Sequence, residues 1–410
     1  MGVLVQKYGG TSVGSPERIQ RVAERIERSR TDGRGLVVVV SAMGQTTDEL
    51  IALAHRVSQS PSHREMDMLL TAGERISMAL LSMALTDRGL RALSLTGSQS
   101  GIITDASHRR AKIRRILGDR IRQALAADQV AIIAGFQGVS ETKEITTLGR
   151  GGSDTTAVAL AASLGADACE IYTDVDGVYS ADPRLVPEAR LWTRIPHDLM
   201  IQYAWLGAGV LHPRSVELAA QHGVSLWVKN SLNDEKGTEI MAKESVTAAS
   251  ASSRGLEEFE IIGITACDEK ILLEVELMRN SLYSAVLDAA TAHNLSLTAP
   301  IFSGTRLQCF VEREALDAWK RILQRMSEDG FAASFSLQED QVPVSVVGYR
   351  FAQDGRALSQ IMDTLAQEQI SVTMGSASAL SATLAVRRNC ADDAVKALHQ
   401  HFFSPEGKSL

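Results

Sequence analysis

The chain has 410 residues, which is too long for one ordinary hydrophobic core and predicts two or three domains. Hydrophobic residues make up 45% and charged residues 22% of the composition, as is typical of soluble globular proteins. The 42 lysines and arginines against 49 acidic residues give a net charge of −7, and only 5% of residues are aromatic. Because the chain lacks both a basic excess and many stacking rings, we expect no nucleic-acid partner and no attraction to anionic membranes.

No segment of the sequence predicts export or membrane insertion. The longest aliphatic run, Leu36 to Val40, is too short to span a bilayer. The N-terminus reads MGVLVQKYGG and has no basic region followed by an apolar stretch. The four cysteines lie too far apart for metal-ligand or redox spacing. We therefore expect reduced thiols and a cytoplasmic protein with no membrane partner.

Residues 1–240 alternate β-branched runs with helical patterns, which predicts an α/β fold with a mostly parallel sheet covered by helices on both faces. One helix is expected to begin where Ser15 caps, Pro16 takes the first helical position and Glu17 suits the positive end. A longer helix is expected over 65–86. The expected strands are 3–8, 36–40, 92–95, 130–134 and 169–173.

A Ser/Ala-rich stretch at 241–258 predicts a linker. Beyond it, two units predicted at 259–340 and 341–410 share the order β-α-β-β-α-β, with strands that could interleave between them. This order is the ferredoxin-like α+β pattern. The expected strands are 271–277, 307–312, 344–347 and 382–387, and the expected helices are 281–293, 314–326, 356–367 and 391–402.

Ligands bind beyond the carboxyl ends of the strands in an open parallel sheet, so the residues that follow each strand are candidates for a site. Lys7, Gly9 and Gly10 end or follow the first strand. Glycines let the backbone approach a phosphate closely, and the lysine supplies a mobile positive charge. The lysine precedes the glycines, so this is not a Walker A loop. The alternative interpretation is a plain turn with a solvent-exposed lysine.

Arg150, two glycines, Ser153 and Asp154 lead into a further predicted helix. Ser153 suits the cap and Asp154 suits the positive end of that helix, so capping alone would explain both residues. Capping does not explain Arg150 before two glycines. A guanidinium there could hold a carboxylate or a phosphate through two hydrogen bonds.

Glu74 lies beside an apolar stripe of the predicted 65–86 helix, where a carboxylate is costly without a partner. Its partner could be Arg75 or another arginine, in a structural ion pair, or the ammonium group of a ligand. The segment that holds Thr173, Asp174 and the later Asp-Pro-Arg sequence is either ordinary turn chemistry or a nucleotide clamp. The basic run at 108–122 is interpreted as the solvated face of a helix.

Six segments together resemble the aspartate kinase family. They are KYGGTSV at 7–13, MLLTAGERIS at 68–77, GFQG at 135–138, TTLGRGGSDTTA at 146–157, YTDVDGVYSADPR at 172–184 and LGAGVLHPRSVELA at 206–219. The resemblance implies an amino acid kinase domain followed by two ACT domains. It also implies transfer of the γ-phosphoryl group of ATP to the β-carboxylate of L-aspartate, at the first step of lysine, threonine and methionine biosynthesis.

The resemblance also implies a role for each residue that matches a motif. Lys7 should contact the transferring phosphoryl group, and Asp154 should organise the charges around it. Mg²⁺ is implied by the nucleotide, but no metal ligand can be named. The residues implied to bind aspartate are Ser41, Thr47, Glu74, Arg150 and Ser153. The residues implied to bind ATP are Lys7, Gly9, Gly10, Thr173, Asp174, Tyr179 and Arg184.

The sequence departs from the family pattern at two places. Gly209 stands where a lysine is expected in the kinase domain. The first ACT helix is entered through LMRNSLYSAV, without the Asp-x-Pro-Gly turn of lysine- or threonine-binding relatives, and the pattern's Asn and Glu are missing as well. We therefore expect weak or absent feedback inhibition by lysine or threonine, and ACT units that serve to form a homodimer or homotetramer.

Two other functions compete with this interpretation. The first is a relative that phosphorylates glutamate, acetylglutamate or UMP on the same fold. The second is an amino-acid sensor whose kinase domain has lost catalysis. The ACT units and the combined MLLTAGER and GRGGSD motifs argue against the first, and the presence of Lys7, Glu74, Arg150 and Asp154 argues against the second.

Overall fold

A computed structural model of the chain describes residues 2–30, 33–242, 261–349, 351 and 355–404. These residues form two compact units. The first comprises Met1–Val178, Leu191–Ile201 and Val210–Ala251, and the second comprises Tyr179–Arg190, Gln202–Gly209 and Ser252–Leu410. The predicted linker at 241–258 lies almost entirely outside the described residues.

The first unit is built on an eight-stranded sheet whose only antiparallel pair is the one between its last two strands in the chain. Its spatial order is β10-β12-β11-β9-β1-β2-β6-β3. The strands are β1 Val3–Tyr8, β2 Gly35–Val40, β3 Ala92–Leu95, β6 Val130–Ala134, β9 Ala168–Thr173, β10 Arg194–Pro196, β11 Leu226–Asn230 and β12 Thr238–Met241. The predicted fold class is confirmed.

Helices cover this sheet on both faces. On one face, α1 begins at Pro16 behind the predicted Ser15 cap, and its apolar stripe packs with that of α4 over β1 and β2. On the other face, α6 is buried on every side from Gly152 to Ala161. The helices of the unit are α1 Pro16–Ser29, α2 Thr46–Val57, α3 His63–Leu70, α4 Ala72–Asp87, α5 Asp119–Ala126, α6 Gly152–Leu164, α7 His197–Trp205 (whose last turn belongs to the second unit) and α8 Pro213–His222.

The long helix expected over 65–86 is two helices, α3 and α4, separated at Thr71. By length and composition alone His63–Asp87 could cross a membrane, but half of its most apolar window is buried inside the protein. Met78, Leu81 and Leu85 of α4 pack in the core beside the sheet. We therefore interpret this apolar stretch as core helix.

A smaller four-stranded sheet has the order β5-β4-β7-β8, with β4 Ile102–Thr104, β5 Ile113–Ile116, β7 Gln137–Ser140 and β8 Ile145–Thr147. This sheet corrects the interpretation of the basic run at 108–122 as one helical face. The run contains a turn, strand β5 and only the first residues of α5. Because Ile113 and Ile116 flank two exposed arginines, the charge pattern resembled a solvated helix.

The second unit contains two four-stranded antiparallel sheets, each with helices on one face. The first has the order β15-β16-β14-β17, and the second β13-β18-β20-β19. The strands are β13 Ile261–Ala266, β14 Lys270–Leu277, β15 Thr298–Ser303, β16 Arg306–Glu312, β17 Ala332–Gln338, β18 Gln341–Gly348, β19 Val372–Ala377 and β20 Ser381–Arg387. The helices are α9 Tyr283–Ala292, α10 Leu316–Glu328, α11 Gly355–Gln367 and α12 Ala391–Phe403.

The two ferredoxin-like folds interleave along the chain. Strand β13 precedes the first fold but pairs with β18, so it supplies the fourth strand of the second. The predicted boundary between 340 and 341 had put residues 261–266 with the first fold. The core of the second fold also includes Ala181 and Val186, which come from the Tyr179–Arg190 segment. The predicted domain boundaries otherwise stay a prediction.

Candidate active site

The loops that follow β1 and β2 lie against each other at the carboxyl ends of these strands. The backbone N–H of Gly44 donates to the carbonyl of Gly10 at 3.0 Å. A Cβ on Gly10 would lie 3.0 Å from the carbonyl oxygen of Ala42, so a side chain here would push the loops apart. The N–H of Gly9 donates to the carbonyl of Tyr172 at 3.1 Å and is therefore engaged within the fold.

Lys7 and Asp154 form a nearly buried ion pair. The Nζ atom of Lys7 lies 2.6 Å from Oδ1 of Asp154, with side chains 11% and 12% exposed. Lys7 is near the carboxyl end of β1, on the face that turns toward α6, and Asp154 is in the first turn of α6. The pair therefore keeps an ammonium group at the carboxyl ends of the strands, where an anionic ligand could also bind it.

The turn into α6 depends on two glycines with left-handed backbone. Gly149 has φ +79° and Gly151 has φ +66°. A Cβ on Gly149 would lie 2.8 Å from the carbonyl oxygen of Arg109, and one on Gly151 would lie 2.2 Å from Cβ of His212. Gly151 is the N-cap of α6. The first N–H groups of α6 thus follow a turn in which glycines flank Arg150, an arrangement that favours anion binding at a helix N-terminus.

Ser153 does not cap α6, contrary to the sequence prediction. It lies inside the first helical turn, and no side chain caps the helix. Its Oγ instead approaches Gly135 so closely that a Cβ there would lie 2.7 Å away. The prediction failed because Gly151, with left-handed backbone, is itself the N-cap. The helix therefore begins at Gly152, before Ser153.

Glu74 is a buried carboxylate with an unused oxygen. It is 3% exposed, and its Oε1 accepts a hydrogen bond from the N–H of Ala42 at 3.2 Å. Its Oε2 is buried and has no hydrogen-bond partner, and the described residues give Glu74 no ion pair. Burial raises the pKa of Glu74 from 4.5 to about 7, although its backbone hydrogen bonds oppose the rise. This environment favours a ligand ammonium group over the structural ion pair that the sequence left open.

These groups line one cavity of about 370 Å³. Of the predicted site residues, the cavity brings together Lys7, Gly10, Ser41, Thr47, Glu74, Arg150, Ser153 and Asp154. Five predicted nucleotide residues do not line it, namely Gly9, Thr173, Asp174, Tyr179 and Arg184. Thr173 donates to Asp174 at 3.0 Å, and the exposed Arg184 pairs with Asp182 at 2.6 Å within the second unit.

Six lining residues were not among the predicted site residues, namely Ala42, Gly44, Phe136, Gly149, Gly151 and Gly152. Phe136 adopts φ +66°, which is rare for a bulky residue and is typical of strained functional positions. Its N–H donates to Oγ1 of Thr156 at 3.2 Å, which holds the strained turn. Ala42 contributes the N–H that orients Glu74. The only sequence signal for Phe136 was its place within GFQG, and a backbone donor such as Ala42 leaves no sequence signal.

The cavity offers little for a metal ion on its own. Among the described residues, no cluster of three or more His, Cys, Asp or Glu side chains could hold one. Glu74 and Asp154 are the carboxylates that line the cavity, and Asp154 is paired with Lys7. Mg²⁺ bound with a nucleotide keeps several waters and phosphate ligands and needs only one or two carboxylates. The residues present therefore fit a nucleotide-borne Mg²⁺.

Comparison with known proteins identifies the family. The amino acid kinase family matches residues 2–230, and an ACT domain family matches residues 344–402. The chain is 43% identical over 406 residues to an aspartokinase of Geobacillus stearothermophilus, covering 98% of this chain and 97% of the relative. It is 40% identical to an aspartokinase of Corynebacterium glutamicum, covering 98% of this chain and 96% of that protein. The chain belongs to the amino acid kinase family. Within that family it belongs to the aspartokinases.

Solved structures agree on the fold. E. coli aspartokinase III, solved in complex with aspartate and ADP in the R-state, aligns with a TM-score of 0.84 at 22% identity, covering 98% of this chain and 100% of that one. An aspartate kinase from Synechocystis aligns with a TM-score of 0.54 at 37% identity, covering 97% of this chain and 69% of that one. The first of these similarities supports the fold alone.

Proposed function

We propose that this chain is an aspartate kinase, which transfers the γ-phosphoryl group of ATP to the β-carboxylate of L-aspartate and releases 4-phospho-L-aspartate and ADP. One observation carries the proposal. Glu74, whose buried Oε2 has no hydrogen-bond partner, lines the same cavity as Arg150 and the Lys7–Asp154 pair. A free amino acid presents an ammonium and a carboxylate, and Glu74 and Arg150 supply the complementary charges for these two groups, while Lys7 suits a phosphate.

The reaction needs positioning and charge neutralisation more than proton transfer. The β-carboxylate of aspartate has an ordinary pKa of ~3.9 and is already ionised near neutral pH, so the nucleophile needs no general base. The difficulty is to bring two anions together. Lys7 would neutralise the transferring phosphoryl group, and Asp154 would keep Lys7 pointed at it. The α6 N–H groups behind Gly151 would add favourable dipoles.

Aspartate would be held at both ends. Glu74 would accept hydrogen bonds from the α-ammonium group, Arg150 would bind a carboxylate, and Ser41, Thr47 and Ser153 would add polar contacts. When bound with ATP, Mg²⁺ would neutralise phosphate charge, and Asp154 is a carboxylate in the cavity that could bind it. Thr173, Asp174, Tyr179 and Arg184 remain proposed nucleotide contacts, as do Gly9 and Gly10.

Aspartate-dependent turnover tests the proposal directly. Purified protein with ATP, Mg²⁺ and L-aspartate in hydroxylamine should form aspartyl hydroxamate and ADP in equal amounts. L-glutamate, N-acetylglutamate and UMP should give little product. A Lys7→Ala variant should lose about 100- to 1,000-fold in kcat, since removal of one charge-stabilising donor typically costs that much. Absence of aspartate-dependent ADP from a folded wild-type protein would favour the non-catalytic amino-acid sensor.

We also propose the cellular setting that the aspartokinase family suggests. The protein would act in the cytoplasm as a homodimer or homotetramer joined through its ACT folds. Its product would enter lysine, threonine and methionine biosynthesis. The exposed edge of β15, which pairs only with β16 among the described strands, offers unpaired backbone groups for a second subunit.

A further inference from the structure

A second acidic residue, Asp67, is buried near Glu74 but belongs to no part of the cavity lining. It lies on α3, is 0% exposed, and precedes Glu74 by seven residues. Its carboxylate accepts a hydrogen bond from Oγ1 of Thr147 at 2.6 Å and contacts Nδ1 of His108 at 2.7 Å. The backbone N–H of Arg109 reaches both of its oxygens at 3.1 Å. Both oxygens of Asp67 are therefore satisfied by groups from two other segments of the first unit.

One of these segments continues into Arg150, and the other packs beside Gly149. Thr147 ends β8, three residues before Arg150, and its carbonyl accepts the N–H of Ala111 at 2.9 Å. Arg109 has left-handed backbone with φ +68°, and its carbonyl oxygen would lie 2.8 Å from a Cβ on Gly149. Asp67 thus fixes the end of β8 through Thr147 and fixes the turn that packs on Gly149 through Arg109.

Arg214 also holds the backbone segment that leads from Thr147 to Arg150. Its guanidinium donates to the carbonyls of Leu148 and Ala111, both at 3.0 Å. The N–H of Leu148 donates to the carbonyl of Phe136 at 2.8 Å. The backbone between Thr147 and Arg150 is therefore held on several sides, and the one carboxylate in this arrangement comes from the helix pair that also carries Glu74.

We propose that Asp67 is a positioning residue for aspartate binding, because it ties the segment that carries Arg150 to the helices that carry Glu74. The two proposed receptors for the ends of aspartate then keep one fixed separation. The inference rests on the proposed function, since it assigns the distance between the ammonium receptor and the carboxylate receptor. ATP is proposed to contact Lys7 and the α6 N-terminus in the same cavity, but neither Glu74 nor Arg150, so its KM should depend less on this separation.

The test compares Asp67→Asn with wild type in the full-length protein. Asparagine keeps the volume but turns one acceptor into an NH₂ donor, which faces the donors of Arg109 and Thr147. We expect KM for aspartate to rise about 10- to 100-fold, because a binding group is misplaced, while KM for ATP changes less than about twofold. An unchanged KM for aspartate, or equal rises in both KM values, would overturn the proposal.

A matched control separates positioning from loss of stability. Leu125 is a buried residue of α5 that packs on Gly35, at the start of β2, away from the carboxyl ends of the strands. Leu125→Ala should lower the melting temperature without altering KM for aspartate. If it raises that KM as much as Asp67→Asn does, the effect of Asp67 is general destabilisation and the proposal falls.

A second pair of variants keeps the test decisive if Asp67→Asn does not fold. Thr147→Val removes the hydroxyl donor at constant shape, and Thr147→Ser restores it. The valine variant should raise KM for aspartate, and the serine variant should return it toward wild type. If valine and serine behave alike, the proposal is wrong. If the wild-type protein does not turn over aspartate, the proposed function is wrong as well. If it does, and the Asp67→Asn variant keeps the wild-type KM for aspartate, only this inference is wrong.

Discussion

Among single residues, Glu74 lowers the stability of the folded protein but is placed to bind a ligand. A buried carboxylate oxygen without a partner destabilises the folded state. The sequence could place this acid beside an apolar stripe, but it could not decide between an arginine partner and a ligand, because that depends on which segments fold over the helix. The structure puts the N–H of Ala42 on one oxygen and leaves the other buried without a hydrogen-bond partner, in a residue that lines the cavity.

Glu74→Gln should make the protein more stable and less active at the same time. The pKa of Glu74 rises from 4.5 to about 7 on folding, so its destabilising effect is absent below pH 4.5, grows between pH 4.5 and 7, and is complete above pH 7. Glutamine removes this effect, which is worth up to about 3 kcal/mol. We expect urea unfolding at pH 8 to show a clear gain in stability, and unfolding at pH 4.5 to show little.

The same variant should gain stability but lose catalytic efficiency with aspartate. With wild-type protein, KM for aspartate should fall as pH rises through about 7, because the ionised carboxylate binds the ammonium. Glu74→Gln should lose at least about 30-fold in kcat/KM for aspartate, as loss of one partner of a buried charge pair does, and should lose this pH dependence. Glu65→Gln, at an exposed acid on α3, is the control and should change neither property. A glutamine variant that turns over aspartate normally would contradict the assignment.

At the scale of elements, α6 and the loops around it define the cavity. The strands were predictable because they are short runs rich in apolar and β-branched residues, most clearly in Gly35–Val40. The ends of the strands were also predictable, because glycine motifs follow them directly in the sequence. Other features depended on tertiary packing, which the local pattern does not record. Examples are the break at Thr71, the left-handed Phe136, and the Gly151 cap that displaced Ser153.

The two ends of α6 provide a matched pair of glycine substitutions. Gly151 and Gly165 have similar left-handed backbone, with φ +66° and +61°. A Cβ on Gly165 meets nothing within 4 Å, whereas a Cβ on Gly151 would lie 2.2 Å from Cβ of His212. Gly165→Ala should therefore cost only the backbone strain, about 1–2 kcal/mol, and keep full activity.

Gly151→Ala should add a steric clash to that strain. We expect a further loss of about 1–3 kcal/mol and at least a tenfold fall in kcat/KM for aspartate, because the α6 N-terminus moves. Urea unfolding and steady-state kinetics on both variants measure the difference. Equal effects at the two ends of the helix would show that the turn before α6 has no special role.

At the scale of the whole molecule, the interleaved ferredoxin-like folds were only partly predictable. Their repeat was visible as strand and helix periodicity, but the pairing of β13 with β18 joins residues far apart in sequence. In the first fold, Asn280, Ser281, Tyr283, Phe302 and Gly304 surround an open cavity of about 410 Å³. The hydroxyl of Tyr283 lies 3.0 and 2.9 Å from the carbonyl oxygens of Gly304 and Arg306 and shares its one proton between them, in competition with any ligand ammonium.

We therefore expect lysine and threonine to be poor inhibitors. Millimolar lysine, threonine or both together should reduce aspartate-dependent turnover by less than half. Tyr283→Phe frees the two carbonyls and tests their role, while Tyr349 in the second fold, substituted in the same way, serves as a control for loss of a tyrosine hydroxyl. Inhibition of the wild-type protein by more than half would reject this expectation.

In the proposed mechanism, Lys7, Glu74 and Arg150 act on one bound aspartate and one phosphate in a single cavity. A crystal structure with L-aspartate and a non-hydrolysable ATP analogue tests it most directly. We predict the α-ammonium within hydrogen-bond distance of Glu74 Oε2, a carboxylate on Arg150, and the γ-phosphate on Lys7 Nζ. An amino acid bound outside this cavity, or with its ammonium turned away from Glu74, would contradict the account.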